Sequence, residues 1–236
     1  MNVEIWSDVV CPWCAIGKAR FEQALESFPR DEVTVTWRSF ELDPQAPKRR
    51  EGDYVSMLAK KYGTSAAQAQ QMIDRMTDSA AEEGLDFDFS IAKPGNTFDA
   101  HRLLHLATDP DTRSGGLQNR LKDRLLLAYH SQGEAIGDHD TLQRLAVEVG
   151  LDEVEVKETL TGDGYADAVR ADENQARTYG ISGVPFFVLD GRIGISGAQP
   201  ADVMLEGLRQ AWPETEPLQV IGSAAAEGDT CGIDGC

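Results

Sequence analysis

Apolar and polar positions alternate over residues 2–7, with Val3 and Ile5 set against Asn2 and Glu4, and Val9-Val10 follow. A period of two that stops at Ser7-Asp8 predicts a short strand. From Pro12 the spacing turns helical: Ile16, Ala19, Phe21, Ala24, Leu25 and Phe28 recur at three- and four-residue steps until Pro29 ends the run. Residues 33–40 return to period two and carry many β-branched side chains, which predicts a second strand. Strand, helix and strand in so short a span form the βαβ unit of a parallel pair.

Leu42-Asp43-Pro44-Gln45-Ala46-Pro47 breaks this pattern and opens a long helical stretch. Helical spacing runs over 53–62, 65–83, 98–107, 117–131, 140–149, 152–160 and 164–179, with glycine or proline between the segments. Residues 184–189 and 192–195 flank Asp190-Gly191, the signal of a hairpin with a two-residue turn. Pro200 starts a final amphipathic helix that ends before Pro213. The order βαβ, helices, ββα predicts an α/β core of residues 1–45 and 181–212, interrupted by an all-helical insertion over 46–180. The remainder, 213–236, is rich in Ala, Gly and acids and is expected to be a flexible tail.

The 236 residues are 41% apolar and 26% charged, enough for a core that needs no disulfide staples. A net charge of −18 repels phosphate backbones and anionic lipid, so neither nucleic acid nor a membrane surface is an expected partner. No stretch approaches the ~20 apolar residues of a membrane helix. The first residues run straight into the strand pattern without the basic and apolar regions of a secretory leader, so a cytoplasmic location is expected. Thiols stay reduced there, which leaves catalysis, redox sensing or metal binding for the four cysteines.

Cys11-Pro12-Trp13-Cys14 stands where the first strand hands over to the first helix. Unpaired backbone N–H groups and the positive end of the helix dipole favour an anion there. Cys11 is therefore expected to be the attacking thiolate, with a pKa below the free value of ~8.5. Pro12 suits the first helical turn, where its missing N–H has no partner to lose. Cys14, one turn on, is placed to resolve a mixed disulfide on Cys11, and the flat face of Trp13 to shape the substrate side. Half a zinc site, or two inert buried cysteines, are the competing readings of this motif. Gly183-Val184-Pro185 opens a strand, a position where proline is unusual, and a cis Val184–Pro185 bond would account for it. An ordinary trans turn proline is the alternative.

These segments resemble the DsbA family of thioredoxin-fold oxidoreductases, and most nearly its FrnE-like branch, which is related to 2-hydroxychromene-2-carboxylate isomerases and kappa-class glutathione transferases. The likeness covers about residues 1–212 and includes Phe40-Glu41-Leu42-Asp43-Pro44 and Asn96-Thr97-Phe98-Asp99-Ala100-His101. It implies a thioredoxin-like fold and an oxidase, reductase or isomerase of protein disulfides. Cys11 is then the nucleophile, Cys14 the resolver and Pro185 the cis proline, with the Val184 backbone pairing an extended peptide. The Pro-Trp dipeptide departs from periplasmic DsbA, so a strongly oxidising potential is not implied. Cys11 also stands where the isomerase and transferase branch usually has serine, and that branch needs no resolving thiol. A glutathione-dependent isomerase or transferase is the alternative activity.

By the same resemblance Cys231 and Cys236, in Cys-Gly-Ile-Asp-Gly-Cys, form an auxiliary dithiol that shuttles electrons to the first pair. Stray tail cysteines, or a soft-metal site with Asp234, are the other readings. His101 and His105 are four apart on one helix face but lack the glutamate of a zinc-protease motif, and no metal is expected. The likeness makes His101 a donor to substrate or to Cys11. Asn96 is first the cap of its helix and then a substrate-side residue. Glu41 is a candidate relay for the Cys14 proton, with a solvated carboxylate the plainer reading. Gly191-x-x-Gly194-x-x-Gly197 lies in the hairpin and is no nucleotide loop, so no cofactor is expected. The expected partners are protein substrates carrying disulfides or thiols, with a small-thiol reductant as a candidate recycler.

Overall fold

The computed structural model describes residues 1–212; the tail, with Cys231 and Cys236, lies outside the described residues. Strand β1 (Asn2–Ser7) leads through Asp8–Cys11 into helix α1 (Pro12–Glu26), and β2 (Thr34–Ser39) follows after one 3-10 turn. Helices α2 (Tyr54–Tyr62), α3 (Ala66–Glu82), α4 (Phe98–Leu106), α5 (Gln118–Gln132), α6 (His139–Glu148), α7 (Glu153–Thr161) and α8 (Ala166–Thr178) come next. The chain then returns to β3 (Phe186–Leu189), β4 (Ile193–Ser196) and α9 (Ala201–Ala211).

The four strands form one sheet in the order β2-β1-β3-β4. β1 pairs β2 in parallel, Asn2 opposite Thr34 through Ser7 opposite Ser39. β3 runs antiparallel to both β1 and β4. This is the thioredoxin-like arrangement, with the helical segments between its two halves in sequence. The Asp190-Gly191 turn has positive φ at both residues (50° and 65°), as the two-residue hairpin requires. One boundary differs from expectation. β3 begins at Phe186, so Val184 and Pro185 stand just outside the ladder. Pro185 has no N–H for a sheet bond, and its carbonyl instead accepts from the Gly197 amide at 2.8 Å.

Alternation along β1 divides the burial. Val3 and Ile5 pack with Phe21, Leu25, Trp37, Phe187, Leu189, Met204 and Leu208 on the face covered by α1 and α9. Trp6 points the other way, packs with Val188, Ala176 and Ile181, and donates from its indole nitrogen to the Asp172 carbonyl at 3.0 Å. A separate helical core gathers Leu103, Leu121, Leu125, Tyr129, Leu142, Leu145 and Val156. A third joins Tyr54, Leu58, Ile73, Met76, Phe87 and Phe89 to Ala15 and Ile16 of α1.

These cores fix the handover after β1 from two sides. Val9 is fully buried in the helical core, worth roughly 1.5–3 kcal/mol for a side chain of that kind. Ile16, two residues past the second cysteine, is fully buried in the third core. The strand end and the helix start between them are thus anchored to two separate helical cores.

Candidate active site

Cys11 is the N-cap of α1, with extended backbone (φ −88°, ψ 115°), and Pro12 occupies the first helical position. The Cys11 amide donates to the Asp8 carbonyl at 3.3 Å, and the Cys14 amide donates to the Cys11 carbonyl at 3.0 Å. Both cysteines are free thiols and both are buried, Cys11 at 4% exposure and Cys14 at 0%. The Cys11 thiol donates to the Val184 carbonyl at 3.6 Å, and the Val184–Pro185 bond is cis. The segment before β3 therefore faces the first cysteine across 173 residues of sequence.

α1 comes close to this segment because residue 17 has no side chain. A Cβ on Gly17 would lie 2.8 Å from Cγ of Pro185 and 3.4 Å from Ala198. Trp13, 40% exposed, lies on the open side of the motif. A groove of about 260 Å³ runs from Cys11 and Val184 past Trp13 to Tyr54, Met57, Leu58, Met72 and Met76 of α2 and α3, with Arg50 and Lys61 along it. The segment 47–50 forms one rim, its Arg50 amide donating to the Pro94 carbonyl and its Pro47 carbonyl accepting from the Asn96 amide, each at 2.9 Å. An apolar, methionine-lined cleft of this kind has room for bulky side chains of varied shape.

The protonation of the pair departs from the sequence expectation. Cys11 is not lowered. The hydrogen bond with Cys14 and then burial push its pKa well above the ordinary thiol value. Burial also raises Cys14, but the hydrogen bond from Cys11 and the positive charge of Lys122 outweigh it and leave Cys14 below the ordinary value. The physical reason is that two desolvated sulfurs lie side by side, so that ionising one opposes ionising the other, and the positive charge of Lys122 favours Cys14.

Beneath the motif lies a carboxylate that the sequence reading passed over. Asp8 is 1% exposed; one of its oxygens accepts from the Leu42 amide at 2.8 Å and the other lies 3.4 Å from Nε2 of His101. Burial raises the Asp8 pKa, and the hydrogen bond and charge of His101 overcome this to leave it lowered. His101, at 1% exposure, is thus set under the motif against Asp8 and not on the groove. Asn96 is off the groove as well. It is not the expected cap of α4, since Thr97 holds the N-cap position without a side-chain cap bond; Asn96, one residue earlier, accepts from the Phe98 amide at 2.9 Å and donates toward Glu41 and the Pro44 carbonyl.

Glu41 pairs with Arg170 at 2.5 Å, away from Cys14. His105 lies 3.0 Å from Asp172 and 3.1 Å from the Ser39 hydroxyl, so the two helix-face histidines serve different partners. Among the described residues no three His, Cys, Asp or Glu side chains are grouped to hold a metal ion.

Two further buried groups carried weak signals. Asp8 stands three residues before Cys11 and reads in sequence as a strand terminator. Lys122 falls inside the buried stripe of α5, between Leu121 and Leu125, where an amphipathic helix places apolar residues.

The profile of the DsbA-like thioredoxin domain matches residues 2–209. The crystal structure of a probable DsbA oxidoreductase from Streptomyces coelicolor is 47% identical, with TM-score 0.84, covering 100% of this chain and 98% of that one. The protein YwbO of Bacillus subtilis, uncharacterised, is 30% identical over 205 residues, 86% of this chain and 93% of its own length. A 2-hydroxychromene-2-carboxylate isomerase is 13% identical, with TM-score 0.61, over 89% of this chain and 95% of that one, a likeness of fold alone.

Proposed function

The chain belongs to the DsbA-like thioredoxin domain family, and from that premise we propose that it is a thiol–disulfide oxidoreductase acting on protein disulfides through Cys11 and Cys14. One observation carries the reading: a thiol at a helix N-cap faces the Val184 carbonyl before Pro185 and borders an open apolar groove, with a second thiol one turn behind.

In the reducing direction the singly ionised pair holds one proton between two sulfurs. Its transfer from Cys11 to Cys14 puts the charge on the sulfur that faces the groove. The Cys11 thiolate attacks one sulfur of the substrate disulfide, forming a mixed disulfide and releasing the other sulfur as a thiolate that takes a proton. Cys14 then gives up its proton and attacks Cys11 Sγ, releasing the second substrate thiol. Two electrons pass to the substrate, and a Cys11–Cys14 disulfide remains. The same steps reversed oxidise a dithiol. Trp13 and the groove receive the substrate side chains, and the Val184 backbone aligns the substrate chain beside Cys11.

A resolving thiol at Cys14 favours this activity over a single-thiol, glutathione-dependent isomerase or transferase. Cys231 and Cys236 serve in the same reading as an auxiliary dithiol that recharges the first pair. Protein substrates and a small-thiol recycler follow from the chemistry, and the cytoplasm is the proposed compartment. Reduction of insulin, followed with and without Cys11→Ser, tests the reading. The wild type is expected to catalyse it and Cys11→Ser to lose activity at least a hundredfold, roughly the scale of removing a nucleophile. Full activity in the variant contradicts it.

A further inference from the structure

α5 presents Gln118, Leu121, Lys122, Leu125, Leu126 and Tyr129 to the interior, and one of these six is a lysine. Lys122 is 0% exposed, and its ammonium has no hydrogen-bond partner among the described residues. Its Nζ lies 5.2 Å from the centre of the Trp37 ring on β2. A buried ammonium without a hydrogen bond is costly, and so structural lysines are almost never placed this way. The groups that face it are Cys14 and Cys11 at the start of α1, Asp8 after β1, Lys18 on α1, and Asp123 and His130 on its own helix. Lys18 is neutralised by Glu22 at 2.6 Å and Asp123 at 2.5 Å. Asp8 is engaged by His101 and the Leu42 amide. His130 is buried among Phe87, Phe89 and Tyr129. Among the described residues, Asp8 is thus shared with His101 and an amide, and the negative charge that no other group takes up near Lys122 is that of the cysteine pair.

We propose that Lys122 is the buried counter-ion of the Cys11–Cys14 pair, holding the single negative charge of the reduced site and so setting its reactivity and redox poise. It is a positioning residue, acting through the sulfurs and not on the substrate. Burial holds its own pKa down to about 8, and the sulfurs push it back up. The ammonium thus gains when the pair ionises and is left without its partner charge when the disulfide forms. It favours the reduced pair and makes the site more oxidising. Removing it has two opposite effects. The pair ionises less readily, whereas the fold is relieved of a buried ammonium that no hydrogen bond satisfies.

The test reads both effects in the full-length chain. Alkylation of Cys11, located by peptide mass mapping, is followed across pH for wild type, Lys122→Met and Lys122→Arg, alongside thermal unfolding at pH 7. The expected result for Lys122→Met is a pH–rate midpoint at least one unit higher, so about tenfold slower alkylation on the acid side, with an unfolding midpoint equal or higher. The redox potential of the Cys11–Cys14 couple should move to more negative values, by about 30 mV for each tenfold. Lys122→Arg should keep the midpoint near that of wild type. An unmoved pH–rate midpoint in Lys122→Met overturns the proposal, since a purely structural lysine would change only the unfolding curve.

If Lys122→Met does not fold, the wild type decides alone. Coupling is reciprocal, so the Lys122 ammonium, observed by NMR on lysine labelled at Cε, should titrate at higher pH in the reduced protein than in the disulfide form. Equal titration in the two states overturns the proposal. Neither readout uses turnover of a substrate, so the proposal fails or stands separately from the activity assigned to the pair.

Discussion

At the scale of single residues, the site depends on groups whose charge is decided by burial. His130 is the plainest case. It is buried, stacks on Phe87 at 4.6 Å, and neither ring nitrogen has a hydrogen-bond partner among the described residues. Burial holds its pKa down to about 3, against 6.5 for an open histidine. The sign follows directly. A base whose folded pKa lies below its unfolded pKa leaves the unfolded chain binding more protons, so stability is lost as pH falls below about 6.5, by roughly 1.4 kcal/mol per pH unit down to about 3. His130→Phe keeps a ring against Phe87 and removes the titration. The stability difference between pH 7 and pH 5, measured by urea unfolding, should shrink by about 2 kcal/mol in that variant. An unchanged difference would show that His130 is already protonated in the fold. Sequence could not supply this, because nothing local distinguishes a histidine on a buried helix face from one on the surface. The same holds for Asp8, whose partner His101 lies 93 residues away by the difference of their numbers. Lys122 was the exception, a charge within an apolar stripe.

At the scale of elements, periodicity and punctuation located each strand and helix. The reason is visible in the caps. Asp53 and Ser65 accept from the amides of Ser56 and Gln68, and Gly63 and Gly133 end α2 and α5 in the left-handed region. The contacts between elements were not legible, and Gly17 illustrates it. In sequence it is a weak point of a helix, where alanine would be worth about 1 kcal/mol. In the fold it is where α1 meets Pro185. Gly17→Ala should therefore destabilise the protein by about 1–3 kcal/mol, and slow insulin reduction, because the Pro185 ring must move from its place opposite Cys11. Calorimetry and the insulin assay together check this, and a stabilised, fully active variant would contradict the packing described.

At the scale of the whole molecule, the order βαβ, helices, ββα was enough to foresee an α/β core interrupted by helices, and the resemblance to the DsbA family added the thioredoxin-like sheet with Val184 on the substrate side of Cys11. The sheet brings the two together because β1 and β3 are antiparallel neighbours, which sets the end of one beside the start of the other. The division of the interior into separate cores was not foreseen. It matters because the groove lies between the sheet and α2–α3, on the side where Ile16 joins the third core.

The account turns on Cys11 as the attacking sulfur and Cys14 as the one that releases it. Incubating the Cys14→Ser protein with a peptide disulfide, and mapping the adduct by mass spectrometry without reductant, tests this most directly. A stable mixed disulfide on Cys11, one peptide per chain and released by dithiothreitol, is the predicted result. No adduct at Cys11, with insulin reduction still at the wild-type rate, would contradict it.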